Sequence, residues 1–136
     1  MTRRSGFTLV EILIVVIILG ILAAIVIPQF TDASTNARTN SLTSSLQTVR
    51  SQLELYKVQH NDNYPSLDNF AAQMTGQTDI NGDSGTDFGP YLHDVPVNPF
   101  TNTNTVGNGD YGTSAWYYNP ADGTFRANDT EAHGAF

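Results

Sequence analysis

Glu11 is the one charge between Phe7 and Ile27, and a lone carboxylate in that setting needs a partner. Every residue from Ile12 to Ile27 is aliphatic, alanine or glycine. A carboxylate held in hydrocarbon costs about 2.5 to 3.5 kcal/mol on insertion scales. A cation becomes available if the chain is cut after Gly6. The new α-amino group on Phe7 would then stand one helical turn before Glu11, or beside the Glu11 of a neighbouring chain. Peptide cleavage followed by amine–carboxylate pairing is the chemistry this end of the sequence offers.

A second set of residues suits a cation. Asp79-Ile80-Asn81-Gly82-Asp83-Ser84-Gly85 places oxygen donors at alternate positions, as a calcium loop begins, and calcium takes six to eight hard oxygens. The EF-hand pattern then needs glycine at its sixth place and glutamate at its twelfth, where this chain has Ser84 and Pro90. A third set is Asp110, Asp122, Asp129 and Glu131. No firm metal site follows. Asp79, Asn81, Asp83, Asp122 and Asp129 are the candidate ligands, calcium is the ion they would take, and no other cofactor is expected. A head carrying this charge should be stabilised by a divalent cation wherever its carboxylates converge.

His60, His93 and His133 lack the i, i+4 spacing that sets two imidazoles on one helix face, and they are expected at the surface. There is no cysteine for a thiolate or a disulfide, no G-x-S-x-G elbow and no G-x-x-x-x-G-K phosphate loop. The sequence does not read as an enzyme. Charged residues are 14% of the 136, and acids outnumber bases 13 to 6 for a net charge of -7. From Asp62 onward Arg126 is the sole base, so that half would repel nucleic acid.

These residues need elements to position them. Phe7 to Ile27 rises about 30 Å as a helix, the thickness of a bilayer's hydrocarbon core. Arg3 and Arg4 precede it, which leaves the N-terminus in the cytoplasm and sends the chain after Pro28 across the membrane. A secretory signal peptide would need a small-x-small site after Ile27, where Pro28, Gln29 and Phe30 follow. A plain membrane anchor leaves Glu11 unexplained. Gly20 and Ala24 form a small-xxx-small pair suited to close helix approach or to nothing special.

The helix is expected to continue to about Gln59. Leu42, Leu46, Val49, Leu53 and Tyr56 recur at spacings of four and three, one apolar face for a head. Arg50 and Glu54 read as a solvated i, i+4 pair or as subunit contacts. Asn61 to Asn63 close the helix, and Ser66 is placed to cap a second, short helix carrying Leu67, Phe70, Ala71 and Met74. Thr75 to Gly89 reads as a loop, and Pro90 to Phe100 as short extended pieces. A hairpin follows, Ala115–Tyr118 and Thr124–Ala127, with most of Trp116, Tyr117, Tyr118 and Phe125 in the core.

Arg3-Arg4-Ser5-Gly6 followed by Phe7-Thr8-Leu9-Val10-Glu11, and continued through Gly20 and Pro28 to Phe30, resembles the class III leader of type IV pilins and type II secretion pseudopilins. The resemblance implies that a prepilin peptidase cuts after Gly6 and methylates the amine of Phe7, and that Glu11 directs filament assembly. In related filaments the segment between the positions matching Gly20 and Pro28 loses helicity, so the resemblance also implies stretch or bend there. Beyond the leader, Tyr64-Pro65, Gly89-Pro90-Tyr91-Leu92, Pro96 and Asn98-Pro99-Phe100 before a small sheet resemble the major pseudopilins of type II secretion. Those proteins usually carry a calcium loop near the C-terminus, where this chain has Trp116-Tyr117-Tyr118-Asn119-Pro120 leading into a hairpin.

The expected fold is α+β and pilin-like, a long N-terminal helix packed on a small antiparallel sheet. Its parts are a cleaved leader (1–6), a transmembrane and assembly helix (7–28), and a stalk helix with an extracytoplasmic globular head (29–136). The implied partners are copies of itself in a homopolymeric filament, the prepilin peptidase, minor pseudopilins, the inner-membrane assembly platform and the inner membrane itself. The implied function is a structural subunit of the type II secretion pseudopilus. The alternatives are a type IV pilus major subunit for adhesion or motility, which often carries a C-terminal disulfide, and a membrane-tethered extracytoplasmic binding module.

Overall fold

The computed structural model describes residues 6–136; Arg3, Arg4 and Ser5 of the expected leader lie outside the described residues. It divides into two compact units, one running to Ala37 and the other from Arg38 to Phe136. The first helix, α1, is Leu9–Gln59. Thr8 starts it, because its Oγ1 accepts the Glu11 backbone N–H at 3.2 Å and satisfies one of the free donors of the first turn.

Helical structure runs unbroken through Gly20 and Pro28, so the expected loss of helicity between them is absent from this single chain. Proline removes one backbone donor, and the long helix on both sides holds the turn. The Ser, Thr and Asn-rich stretch that follows is also helical, and its threonine hydroxyls bond back to carbonyls one turn earlier. Thr31 donates to the Ile27 carbonyl at 3.2 Å, Thr43 to Thr39 at 3.0 Å and Thr48 to Ser44 at 2.9 Å. Asn61 and Asp62 adopt positive φ (53° and 63°), and the Asp62 N–H closes back on the Lys57 carbonyl at 3.0 Å.

The second helix, α2, is Phe70–Thr75 and follows Asn69, so Ser66 does not cap it. Ser66 instead donates its N–H to Gln73 Oε1 at 2.8 Å, tying the segment that leads into the helix to the helix itself. Three short strands follow: β1 (Val106–Gly107), β2 (Trp116–Asn119) and β3 (Thr124–Ala127). The β2–β3 hairpin is antiparallel, Trp116 opposite Ala127 and Asn119 opposite Thr124. The sheet as a whole is mixed, a correction to the antiparallel expectation, because β1 lies parallel to β2 on its other edge. Gly123 makes the hairpin turn at φ 74°, and the Tyr64 ring lies where a Cβ would stand.

The five stripe residues of α1, Leu42 to Tyr56, are each 2% exposed or less. They meet Phe70 and Met74 of α2, Trp116, Tyr118 and Phe125 of the sheet, and Tyr91, Leu92 and Val95 of the proline-rich segment in one core. Burying each large aliphatic side chain stabilises the head by about 1.5 to 3 kcal/mol. On β2, Trp116 and Tyr118 point inward while Tyr117 is half-buried, the period of a one-faced strand.

Candidate functional site

Gly6 and Phe7 are exposed, and Phe7 shows 78% of its surface. Thr8-Leu9-Val10-Glu11 fits the first half of a capping box, with Thr8 as cap and Glu11 three residues on. Thr8 therefore fixes where the helix begins, and the carboxylate stands in its first turn, where the helix dipole favours negative charge. An amine created on Phe7 would sit immediately outside that turn. The Thr8 role escapes a reading centred on Glu11, although the T-x-x-E spacing carries the signal.

Beyond Glu11, every large apolar residue from Ile12 to Ile27 is exposed. By length and composition α1 is apolar enough to cross a membrane. Nothing in its own unit covers this surface, so a lipid phase or neighbouring helices must.

The cation candidates are placed differently. Asp79 Oδ1 accepts the N–H of Asn81 at 2.9 Å and of Asp83 at 3.0 Å, which makes Asp79, Asn81 and Asp83 one tight turn. Asp122 Oδ1 accepts the Thr124 N–H at 2.8 Å, and that bond holds its carboxyl below the usual carboxylate range. Asp129 is bound by His133, Nδ1 to Oδ2 at 2.5 Å, and by Asn98 Nδ2 at 3.2 Å. Asp122 lies in the hairpin turn and Asp129 past the far end of β3, so about 13 Å of strand separates them. Among the described residues, no three His, Cys, Asp or Glu side chains converge as a metal group.

The oxygens that do converge surround an amide. Asn128 Nδ2 reaches the Asp110 carbonyl and Ser114 Oγ, each at 3.0 Å, and the Gly109 carbonyl and Thr113 Oγ1, each at 3.4 Å. One buried NH2 thereby gathers the 107–114 loop. Two other residues sit where the sequence did not place them. His60 is fully buried, stacked on Tyr56 at 3.7 Å with Nε2 3.0 Å from Thr78 Oγ1. His133 is half-buried against Asp129, leaving only His93 of the three at the surface.

Arg50 and Glu54 bond elsewhere rather than to each other, and Glu54 is exposed. Arg50 Nε donates to the Phe125 carbonyl at 2.9 Å and its NH2 group to Phe136 O at 2.7 Å, while Glu54 accepts the Tyr64 hydroxyl at 2.7 Å. Both tie α1 to its own head.

Comparison with known proteins extends from the first helix to the whole chain. Residues 1–27 match the prokaryotic N-terminal methylation motif. The type II secretion system core protein G of Pseudomonas aeruginosa is 33% identical over 96% of this chain and 92% of its own length. The chain belongs to the type II secretion system core protein G family. The core protein G of Vibrio cholerae agrees, 31% identical over 90% of this chain and 84% of its own. A fimbrial protein of Neisseria meningitidis is 35% identical over 60% of this chain and 46% of its own length. No solved structure matches the chain. Membership joins the two ends of the molecule: the motif covers the exposed apolar helix, and the relatives extend over the head.

Proposed function

We propose that this chain is a structural subunit of the type II secretion pseudopilus. The observation that carries the reading is an apolar stretch of α1 exposed from Ile12 to Ile27, with a carboxylate in the helix's first turn, in a chain that aligns with core protein G over 96% of its length. A prepilin peptidase cuts between Gly6 and Phe7 and methylates the new amine. The precursor lies in the inner membrane with its N-terminus cytoplasmic and its head periplasmic. Assembly on the inner-membrane platform, with minor pseudopilins, then replaces lipid around residues 12–27 by the helices of neighbouring subunits. Glu11 selects each incoming subunit by pairing with a Phe7 amine. The chain acts as a building block and catalyses nothing.

Two measurements test this. N-terminal sequencing of the mature protein should begin at methylated Phe7, and any other start overturns the cleavage assignment. Glu11→Ala should leave insertion, cleavage and head folding intact and abolish filaments, because it lowers the cost of insertion while deleting the amine's partner. Normal filament yield from that variant would refute the pairing.

The similarity to the meningococcal fimbrial protein supports a second reading, a surface pilus subunit. Deleting the gene separates them: accumulation of secreted enzymes in the periplasm supports the pseudopilus, and loss of adhesion or motility with normal secretion supports the pilus.

A further inference from the structure

The described residues include four side-chain cations, and three of them are engaged by their own subunit. Arg50 is bound to two carbonyl oxygens of the head. Lys57 Nζ lies 4.8 Å from the centre of the Tyr64 ring. Arg126 is stacked between Tyr111 and Tyr117, its Cζ at 4.4 and 4.1 Å from their ring centres. Arg38 is exposed and, among the described residues, has no hydrogen bond, ion pair or ring contact. It stands one turn before Leu42, on the same helix face that carries the head, just short of where the head begins to cover α1.

The charge it faces in other copies is one-signed. From Asp62 onward there are ten carboxylates and the single base Arg126, and that base is stacked away. Asp68, Asp87, Asp94 and Asp110 are all exposed. Heads brought side by side repel one another, and the stalk is the one part of the chain past Ile27 where bases outnumber acids.

We propose that Arg38 is a docking point for an exposed head carboxylate of a second copy of this chain. The inference rests on the filament reading above and adds the contact that offsets head-to-head repulsion. A second copy is favoured over anionic lipid because Arg38 lies about 16 Å of helical rise past Ile27, farther than the head-group layer is deep. One exposed pair is weak alone, but it recurs at every subunit of a polymer.

The test uses full-length protein in a host that assembles the filament. Arg38→Glu should reduce sheared filament yield at least about fivefold without changing the melting temperature of the detergent-extracted subunit. In Arg38→Lys filaments, a zero-length carbodiimide cross-linker should join position 38 to an acidic residue between Asp62 and Glu131 of another chain, and Arg38→Gln should lose that peptide. Unchanged yield from Arg38→Glu overturns the proposal. So does a cross-link confined to one chain, or an effect of Arg38→Glu seen only in binding to phosphatidylglycerol vesicles. If the native chain itself forms no filament, the filament reading fails and this inference falls with it; filaments that tolerate Arg38→Glu sink the inference alone.

Discussion

One helix carries two apolar stretches that behave in opposite ways. Between Ile12 and Ile27 every position is apolar or glycine and every large side chain is exposed; between Leu42 and Tyr56 five apolar residues recur at spacings of four and three, and all are buried. Periodic apolarity matches a single covering surface, and the chain supplies that surface in its own head. Uniform apolarity matches surroundings on all sides, which only a membrane or a bundle of other chains supplies. Stability of the head therefore resides in the second stretch, the first leaves its whole surface for other surroundings, and substitutions should separate the two.

The largest expected separation uses a full-size core residue. Trp116 is fully buried, and its Nε1 donates to the Pro96 carbonyl at 2.7 Å. Trp116→Ala should cost the head about 3 to 5 kcal/mol. Ile18→Ala removes apolar surface from the exposed stretch and should leave head stability unchanged. Denaturant unfolding of the detergent-extracted protein, followed by near-ultraviolet circular dichroism, checks both. A comparable loss from Ile18→Ala would mean that the two stretches are not independent.

A smaller effect belongs to the polar counterpart of the core. Asn128→Ala removes a buried amide that two carbonyls and two hydroxyls of the loop share as a donor, and should cost about 1 kcal/mol. Hydrogen exchange should then speed up selectively at amides of the 107–114 loop. If exchange rises uniformly across the head, Asn128 is an ordinary core residue and does not organise that loop.

The same contrast explains what could be read from the sequence. The Leu42–Tyr56 stripe, the exposed apolar run and the hairpin rest on local periodicity, and each stands within a residue or so of its expected place. What escaped depends on partners far along the chain. Arg50 and Glu54 look like a surface pair at i, i+4, until Phe125 and Tyr64 arrive from 75 and 10 residues away. His60 looks exposed until Thr78 and Phe88 close over it. The two-residue strand β1 is too short to carry any alternation, so only its pairing with β2 defines it. Ser66 has the chemistry of a cap, but α2 begins only after Asn69, and Ser66 instead gives its backbone N–H to Gln73.

Alkaline pH should loosen the core and spare the apolar run, which has no tyrosine. Burial pushes the Tyr56 hydroxyl up to about 12, with Tyr91, Asp79 and Asp83 adding to the shift, and burial raises Tyr118 further while its hydroxyl donates to the Pro65 carbonyl at 2.7 Å. Below pH 10 folded and unfolded chains both keep these protons, so the stabilisation is complete. From pH 10 to about 12 the unfolded chain releases the Tyr56 proton and the folded chain retains it, so stability falls as pH rises. Tyr56→Phe should flatten that fall in urea titrations at stepped pH. An unchanged slope would place the alkaline loss elsewhere.

The smallest expected effect concerns calcium. The carboxylates of Asp79 and Asp122 accept backbone N–H groups of their own turns, and Asp129 is bound by His133 and Asn98. The place where oxygens crowd together is filled by the Asn128 amide, whose two N–H donors do there what a cation would do elsewhere. Native protein should therefore melt at the same temperature in millimolar calcium and in chelator at matched ionic strength. Asn128→Asp should reverse this. It sets a carboxylate against two carbonyls and two hydroxyls, an arrangement that repels itself when empty and resembles a hard-oxygen site when filled. That variant should be destabilised in chelator and recover with calcium, by about 2.7 kcal/mol at a hundredfold excess over its dissociation constant. A calcium-dependent melt in the native protein would show instead that carboxylates converge after all, and Asn128 would lose its role as the substitute for an ion.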